Sequence, residues 1–191
     1  MRRLLVVSLV LCVVAHSGLR GQQQETLLSG NIESGGFGGF VVRFSEIGGA
    51  FAVLAGGRGG WIINHTFVLG GGGYGLANDV ALTPGVSGRE IEFGYGGLEL
   101  EYINQWNRIA HFTGHILVGA GGLTVNSNFI ERSESVFVTE PVVNLEVNIV
   151  TYFRVNVGAG YRFVAGVDDP DLTNGDLSGV FGQLTFKFGS F

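Results

Sequence analysis

From Phe153 to Ala165 the chain alternates with a period of two. Phe153, Val155, Val157, Ala159, Tyr161, Phe163 and Ala165 fall on one face, and Arg154, Asn156, Gly158, Gly160 and Arg162 fall on the other. Successive side chains of a strand point to opposite faces, so the segment presents an oily side and a polar side that carries two cations. The same alternation recurs and predicts strands at about 36–44, 50–63, 66–77, 89–103, 109–126, 135–149, 152–166 and 179–190. The connections near Asn64-His65, Gln105-Trp106-Asn107 and Val150-Thr151 are tight, whereas those at 78–88, 127–134 and 167–178 are longer. Short and long connections alternate, as in a barrel with turns on one rim and outward loops on the other; Ser45 to Gly49 is a short exception on the loop side. In the fourth segment Ile91, Phe93 and Tyr95 are odd while Leu98, Leu100 and Tyr102 are even, which predicts a bulge at Gly96-Gly97.

Sorted by alternation, one face collects Phe40, Val42, Phe44, Phe51, Val53, Trp61, Ile63, Phe112, Ile116, Val118, Val143, Leu145, Val147, Leu184, Phe186 and Phe188. The other collects Arg43, Arg58, Glu92, Glu99, Glu101, His111, His115, Glu140, Asn144, Glu146, Arg154, Asn156, Arg162 and Lys187. An uncharged outer face suits hydrocarbon, where a charge at mid-bilayer costs roughly 2–4 kcal/mol. The expected fold is therefore all-β: a closed antiparallel up-and-down transmembrane β-barrel of about eight strands, or a neighbouring even number. Eight strands leave an interior that side chains just fill, so Arg43, Arg58, Glu92, Glu99, Glu101, Glu140, Glu146, Arg154, Arg162 and Lys187 should form a paired ion network. Glu146 and Arg154 flank a turn symmetrically and are an expected cross-strand pair. Aromatic residues gather at strand ends: Trp61, Phe67, Tyr102, Trp106, Tyr152 and Phe153 by the tight turns, and Phe44, Phe51, Phe137, Tyr161 and Phe163 towards the loops.

Composition agrees. The chain is 46% hydrophobic with 34 glycines and a mean hydropathy of +0.35, yet no internal run is long enough for a membrane-spanning helix of about 20 residues. Met1-Arg2-Arg3, an apolar stretch from Leu4 to Ala15 and the small residues after it read as a cleaved signal peptide over 1–21, with the site between 17 and 21. A polar, disordered lead-in is expected over 22–34 and one barrel domain over 35–191. The single cysteine, Cys12, lies in the leader, so no disulfide framework or thiol nucleophile is expected. Losing Arg2, Arg3 and Arg20 with the leader leaves eight basic side chains against sixteen acidic ones, which argues against a nucleic-acid partner.

Candidate chemistry is sparse. Glu99 and Glu101 share a face with His111 and His115, with Glu101 expected opposite His111, and such a set could hold a divalent metal or act as a base pair. The spacing follows from every second residue facing inward, so the favoured reading is a hydrogen-bonded structural network with no metal, cofactor or catalytic role. Asp168, Asp169, Asp171, Asn174 and Asp176 make the last loop acidic but lack the order of an EF-hand, and read as solvated. The glycine clusters open no helix, which sets aside a phosphate cradle, and they suit tight coiling of a narrow barrel.

The leader, the eight amphipathic segments, the glycine-aromatic strands and the segment Leu184-Thr185-Phe186-Lys187-Phe188-Gly189-Ser190-Phe191 together resemble the small outer-membrane β-barrel proteins of Gram-negative bacteria, the OmpA-transmembrane and OmpX-like group, over about residues 35 to 191. The resemblance implies residence in the cell outer membrane among its lipids. It also implies recognition by the barrel-assembly machinery through Phe186, Phe188 and Phe191. Phe191 is out of phase with Leu184, Phe186 and Phe188, so either the last three residues bend or recognition uses Phe188. The architecture carries no specific activity. The expected role is that of a monomeric, non-enzymatic barrel, structural or engaging a surface ligand through its long loops. A lipid-modifying enzyme and a narrow porin-like channel are the alternatives.

Overall fold

The computed structural model describes residues 32–80, 89–127, 130–169 and 172–191. The expected signal peptide with Cys12, most of the expected lead-in, residues 81–88 and Asp171 lie outside the described residues. Eight strands, β1 (Ser34–Ile47), β2 (Ala50–Ile63), β3 (Phe67–Leu76), β4 (Arg89–Ile103), β5 (Ala110–Ser127), β6 (Ile130–Val150), β7 (Phe153–Ala165) and β8 (Gly179–Ser190), pair antiparallel with their chain neighbours. β8 returns to β1, Gly36 opposite Ser190 and Ser45 opposite Phe181, and the barrel closes. A single turn of helix, α1 (Asn174–Leu177), interrupts the connection from β7 to β8.

The turns follow from local chemistry. Gly48 and Gly49 sit at φ of 59° and 79°, the left-handed pair that a two-residue hairpin demands and that glycine adopts without strain. The β2–β3 turn places Asn64 and His65 at φ of 50° and 53°. The expected loop at 127–134 is largely strand, because β5 runs to Ser127 and β6 begins at Ile130.

Side-chain alternation sorts the wall as expected over most of its height. Phe40, Phe44, Phe51, Trp61, Phe112, Val118, Val143, Leu145 and Phe188 are exposed, and among the described residues between the turns and the loop end the outer face carries no charge. From Phe51 to Trp61 on β2 there are ten residue steps. At about 3.3 Å per residue and a tilt near 40°, they span about 25 Å, the height of a lipid-facing apolar band.

Towards the loops the alternation inverts. Ile91, Phe93, Leu123, Val125, Val136 and Val138 turn inward and are buried, while Glu92, Ser133 and Ser135 are exposed. This accounts for the phase change in β4 without a bulge. Gly96 and Gly97 stay in regular register with Gly73 and Gly72 on one side and with Ala120 and Gly119 on the other. Over this part of the wall the apolar row faces the interior and the polar row faces outward. The register shift in the β6–β7 ladder lies elsewhere, between Asn148 and Val150. Glu92, expected in the interior, is consequently on the outer wall.

Inward glycines set the curvature. A Cβ on Gly119 would stand 2.1 Å from the Gly96 carbonyl oxygen, and one on Gly97 2.4 Å from that of Val118. Backbones can approach this closely only where neither residue carries a side chain.

Candidate functional site in the barrel interior

The interior is layered. At the loop end Val41, Ile47, Leu54, Ile91, Phe93, Leu123 and Val138 pack together, joined by Val80 and by Leu172 and Leu177 folded down from the connections. At the turn end Phe37, Ile62, Val68 and Ile103 form a second apolar layer, with Phe191 against it. The charged residues lie between.

Among the described residues the interior buries five cations, Arg43, Arg58, Arg154, Arg162 and Lys187, and four carboxylates, Glu99, Glu101, Glu140 and Glu146. The expected five-to-five balance fails by Glu92. Arg58 Nε donates to Glu99 at 2.6 Å and its Nη2 to Glu101 at 2.9 Å. Lys187 Nζ bridges Glu101 and Glu146, 2.7 Å from each. Glu146 also accepts from Arg154 at 2.8 Å; the expected cross-strand pair forms on the diagonal, since Arg154 stands opposite Asn148 and Glu146 opposite Asn156. Tyr74 donates its hydroxyl to Glu99 at 2.8 Å, and its ring lies 3.4 Å beneath the Arg43 guanidinium. Arg43 in turn pairs with Glu140, to which Tyr95 also donates. A chain of alternating charge thus runs from Arg154 to Glu140, each ion held by at least one opposite charge in a medium where an isolated one would cost several kcal/mol.

Arg162 is different. It is fully buried, and it donates to the Leu177 carbonyl at 2.8 Å and to Ser45 Oγ at 3.1 Å. It thereby ties α1 to the barrel, and Ser178 Oγ adds a second tie by accepting from Val164 N–H at 2.9 Å. The Asp176 carboxylate accepts from the amide and the hydroxyl of Thr173, both at 2.7 Å. Those bonds hold its carboxyl below the usual aspartate range.

The four candidate metal ligands do not converge. Glu101 stands opposite His115, and His111 opposite Glu146, so the expected Glu101–His111 pairing is displaced by two inward positions. His115 Nδ1 accepts from Arg58 at 3.3 Å and from Asn144 at 3.2 Å, which places its proton on Nε2. Glu99 and Glu101 are committed to Arg58. His111 faces the Arg108 carbonyl through Nδ1 and Glu146 through Nε2, each at 3.2 Å. Among the described residues no group of three or more His, Cys, Asp or Glu side chains is arranged to hold a metal ion.

Tyr74, Tyr95 and Gln183 belong to the network but were not legible, whereas Thr113 lies on the inward face with His111 and His115 as the alternation implies. In β3 the inward row reads Val68, Gly70, Gly72, Tyr74, with no charge to fix its phase. Phe186 and Phe188 lie outward against Phe153, with ring centroids 6.4 and 4.7 Å away. Of the two alternatives for the out-of-phase Phe191, a bend of the last three residues is not seen. β8 keeps its register to Ser190 without bending, so Phe191 turns inward, stacked on Phe37 at 6.3 Å and 4.0 Å beneath the Arg154 guanidinium.

No family model matches the chain, and no curated protein sequence matches it. Solved structures do. The N-terminal β-barrel domain of Pseudomonas aeruginosa OprF aligns with a TM-score of 0.60 at 12% identity, covering 82% of this chain and 96% of that one. Neisserial surface protein A aligns at 0.59 and 9% identity, covering 84% and 99%. The attachment invasion locus protein Ail of Yersinia pestis, in complex with the heparin analogue sucrose octasulfate, aligns at 0.52 and 14% identity, covering 84% and 99%. At these identities the likeness is one of architecture alone, and it agrees with the closed register, the oily outer wall and the ion-filled middle: the chain has the fold of the small eight-stranded outer-membrane β-barrels.

Proposed function

We propose that this protein is a closed outer-membrane barrel without catalytic activity, serving as a structural element or as a platform for surface interaction through its loop end. The observation that carries the reading is that, among the described residues between the turns and the loop end, the outer wall bears no charged side chain, around an interior capped at both ends by apolar layers. Such a wall has no use in water, and such an interior has no path for solute. The described side chains at the loop end include the acidic Glu46, Asp79, Glu92, Asp168 and Asp176, which favours a neutral or cationic partner over a polysulfate of the kind bound to Ail. Phe153, Phe186 and Phe188 supply the outward aromatic cluster that barrel-assembly machinery would read, and Phe191, being inside, does not contribute.

Cell fractionation and planar-bilayer recording test this together. The chain should stay with outer membranes through alkaline carbonate and require detergent for release, and the purified protein should give no steady conductance step. Recovery of the chain in the periplasm without detergent overturns the membrane assignment. A reproducible conductance step overturns the sealed interior.

A further inference from the structure

The outer wall is not uniformly convex. At the turn-end half of the belt, one row of outward positions runs in register across five strands: Phe67, Tyr102, Gly114, Val143 and Ala159. The next row holds Leu69, Leu100, Ile116 and Pro141. Gly114 removes the side chain from the middle, and the flanking residues stand up around it as a groove of about 620 Å³. That size falls within the range of about 300–1,000 Å³ typical of ligand sites. Phe67, Leu69, Leu100, Tyr102 and Val143 are each about half exposed, so the groove is open to whatever bathes the wall. A Cβ on Gly114 would find only the Val142 carbonyl, at 3.8 Å, so the glycine is not required by the backbone. The strands that carry Tyr102 and Gly114 are joined by the turn at 104–109, which holds Trp106, stacked on His65 at 4.2 Å, and the exposed Arg108. Among the described residues at this rim, Arg108 is the Lys or Arg that lies outside the barrel.

We infer that this groove seats one acyl chain of a glycerophospholipid whose phosphate is held by Arg108. The inference rests on the membrane reading above. A second barrel is the wrong shape, since a convex wall cannot reach a glycine floor set between raised side chains, whereas a single flexible chain can. The remaining requirements are those of one amphiphile: an apolar channel, an aromatic rim of the kind that prefers the headgroup layer, and a guanidinium able to make charge-assisted bonds to a phosphate.

Native mass spectrometry of the detergent-extracted chain with added phosphatidylglycerol tests this. Gly114→Phe and Ala159→Phe each fill one part of the groove, Arg108→Gln removes the charge, and Gly38→Phe, on β1 where an added Cβ meets nothing within 4 Å, serves as a control elsewhere on the outer wall. A heat-dependent gel shift verifies that each variant is folded. Wild type and Gly38→Phe should each retain one lipid. The two groove-filling variants should bind it about tenfold or more weakly, the scale of a few methylenes returned to bulk. Arg108→Gln should bind about fivefold more weakly. Equal retention by wild type and both filled variants overturns the groove, as does a wild-type dimer in place of a lipid adduct. A wild type that integrates into membranes yet holds no lipid overturns the groove alone, and one that fails to integrate overturns both readings.

Discussion

Two neighbours on β7 show how sharply the wall divides its residues. Val157 is 60% exposed on the outer face, and Asn156 is fully buried one position away. Val157→Arg should impair membrane insertion, with a penalty of roughly 2–4 kcal/mol in refolding equilibria into lipid vesicles. Asn156→Ser should be tolerated, because the Asn156 amide has no hydrogen-bond partner to lose among the described residues. Equal effects would mean that the faces are misassigned. Glu146 is the sterner case, since it accepts from Arg154 and Lys187 and faces His111. Glu146→Gln should cost about 3–5 kcal/mol in denaturant unfolding, because it leaves the buried Arg154 without an opposite charge and Lys187 with Glu101 alone. Glu92→Gln, on the outer wall at the loop end, should cost less than about 1 kcal/mol.

At the scale of elements, strand positions were legible almost throughout, because a period of two survives whichever side the oil is on. Which side that is was not always legible. Ile91, Phe93 and Tyr95 read as a lipid-facing row with a slipped register, whereas they are an inward row above the charged layer, and Glu92 was misplaced with them. The alternation is the same in lipid and in water with its sign reversed, and a sequence does not mark the height at which the surroundings change. The histidine and glutamate candidates were placed on the correct face, but their partners depended on register, which Gln105, at φ of 52° in the β4–β5 turn, helps to set. Glycine gives an element-level test. Gly119→Ala should prevent stable closure, measured as loss of the folded gel form, since its Cβ meets a carbonyl oxygen at 2.1 Å. Gly75→Ala has nothing within 4 Å of its Cβ and should be neutral, or stabilising by about 0.4–1 kcal/mol. For α1, the Asp176 carboxyl titrates lower folded than unfolded, so its contribution is present above its ordinary value of 3.8 and is lost as pH falls through the folded value. Amide exchange at Thr173 should therefore speed up, relative to the barrel strands, only in that acid range.

For the whole molecule, the apolar layers above and below the ions matter as much as the ions do. An acid or denaturant in the surrounding water meets Val80, Leu172 and Leu177 at one mouth and Phe37 and Phe191 at the other before it meets any carboxylate of the middle layer. Protons and urea therefore gain entry chiefly when strands part. The lifetime of the native state under harsh conditions becomes a question of how often the cylinder opens, not of how its buried groups would titrate if they were reached.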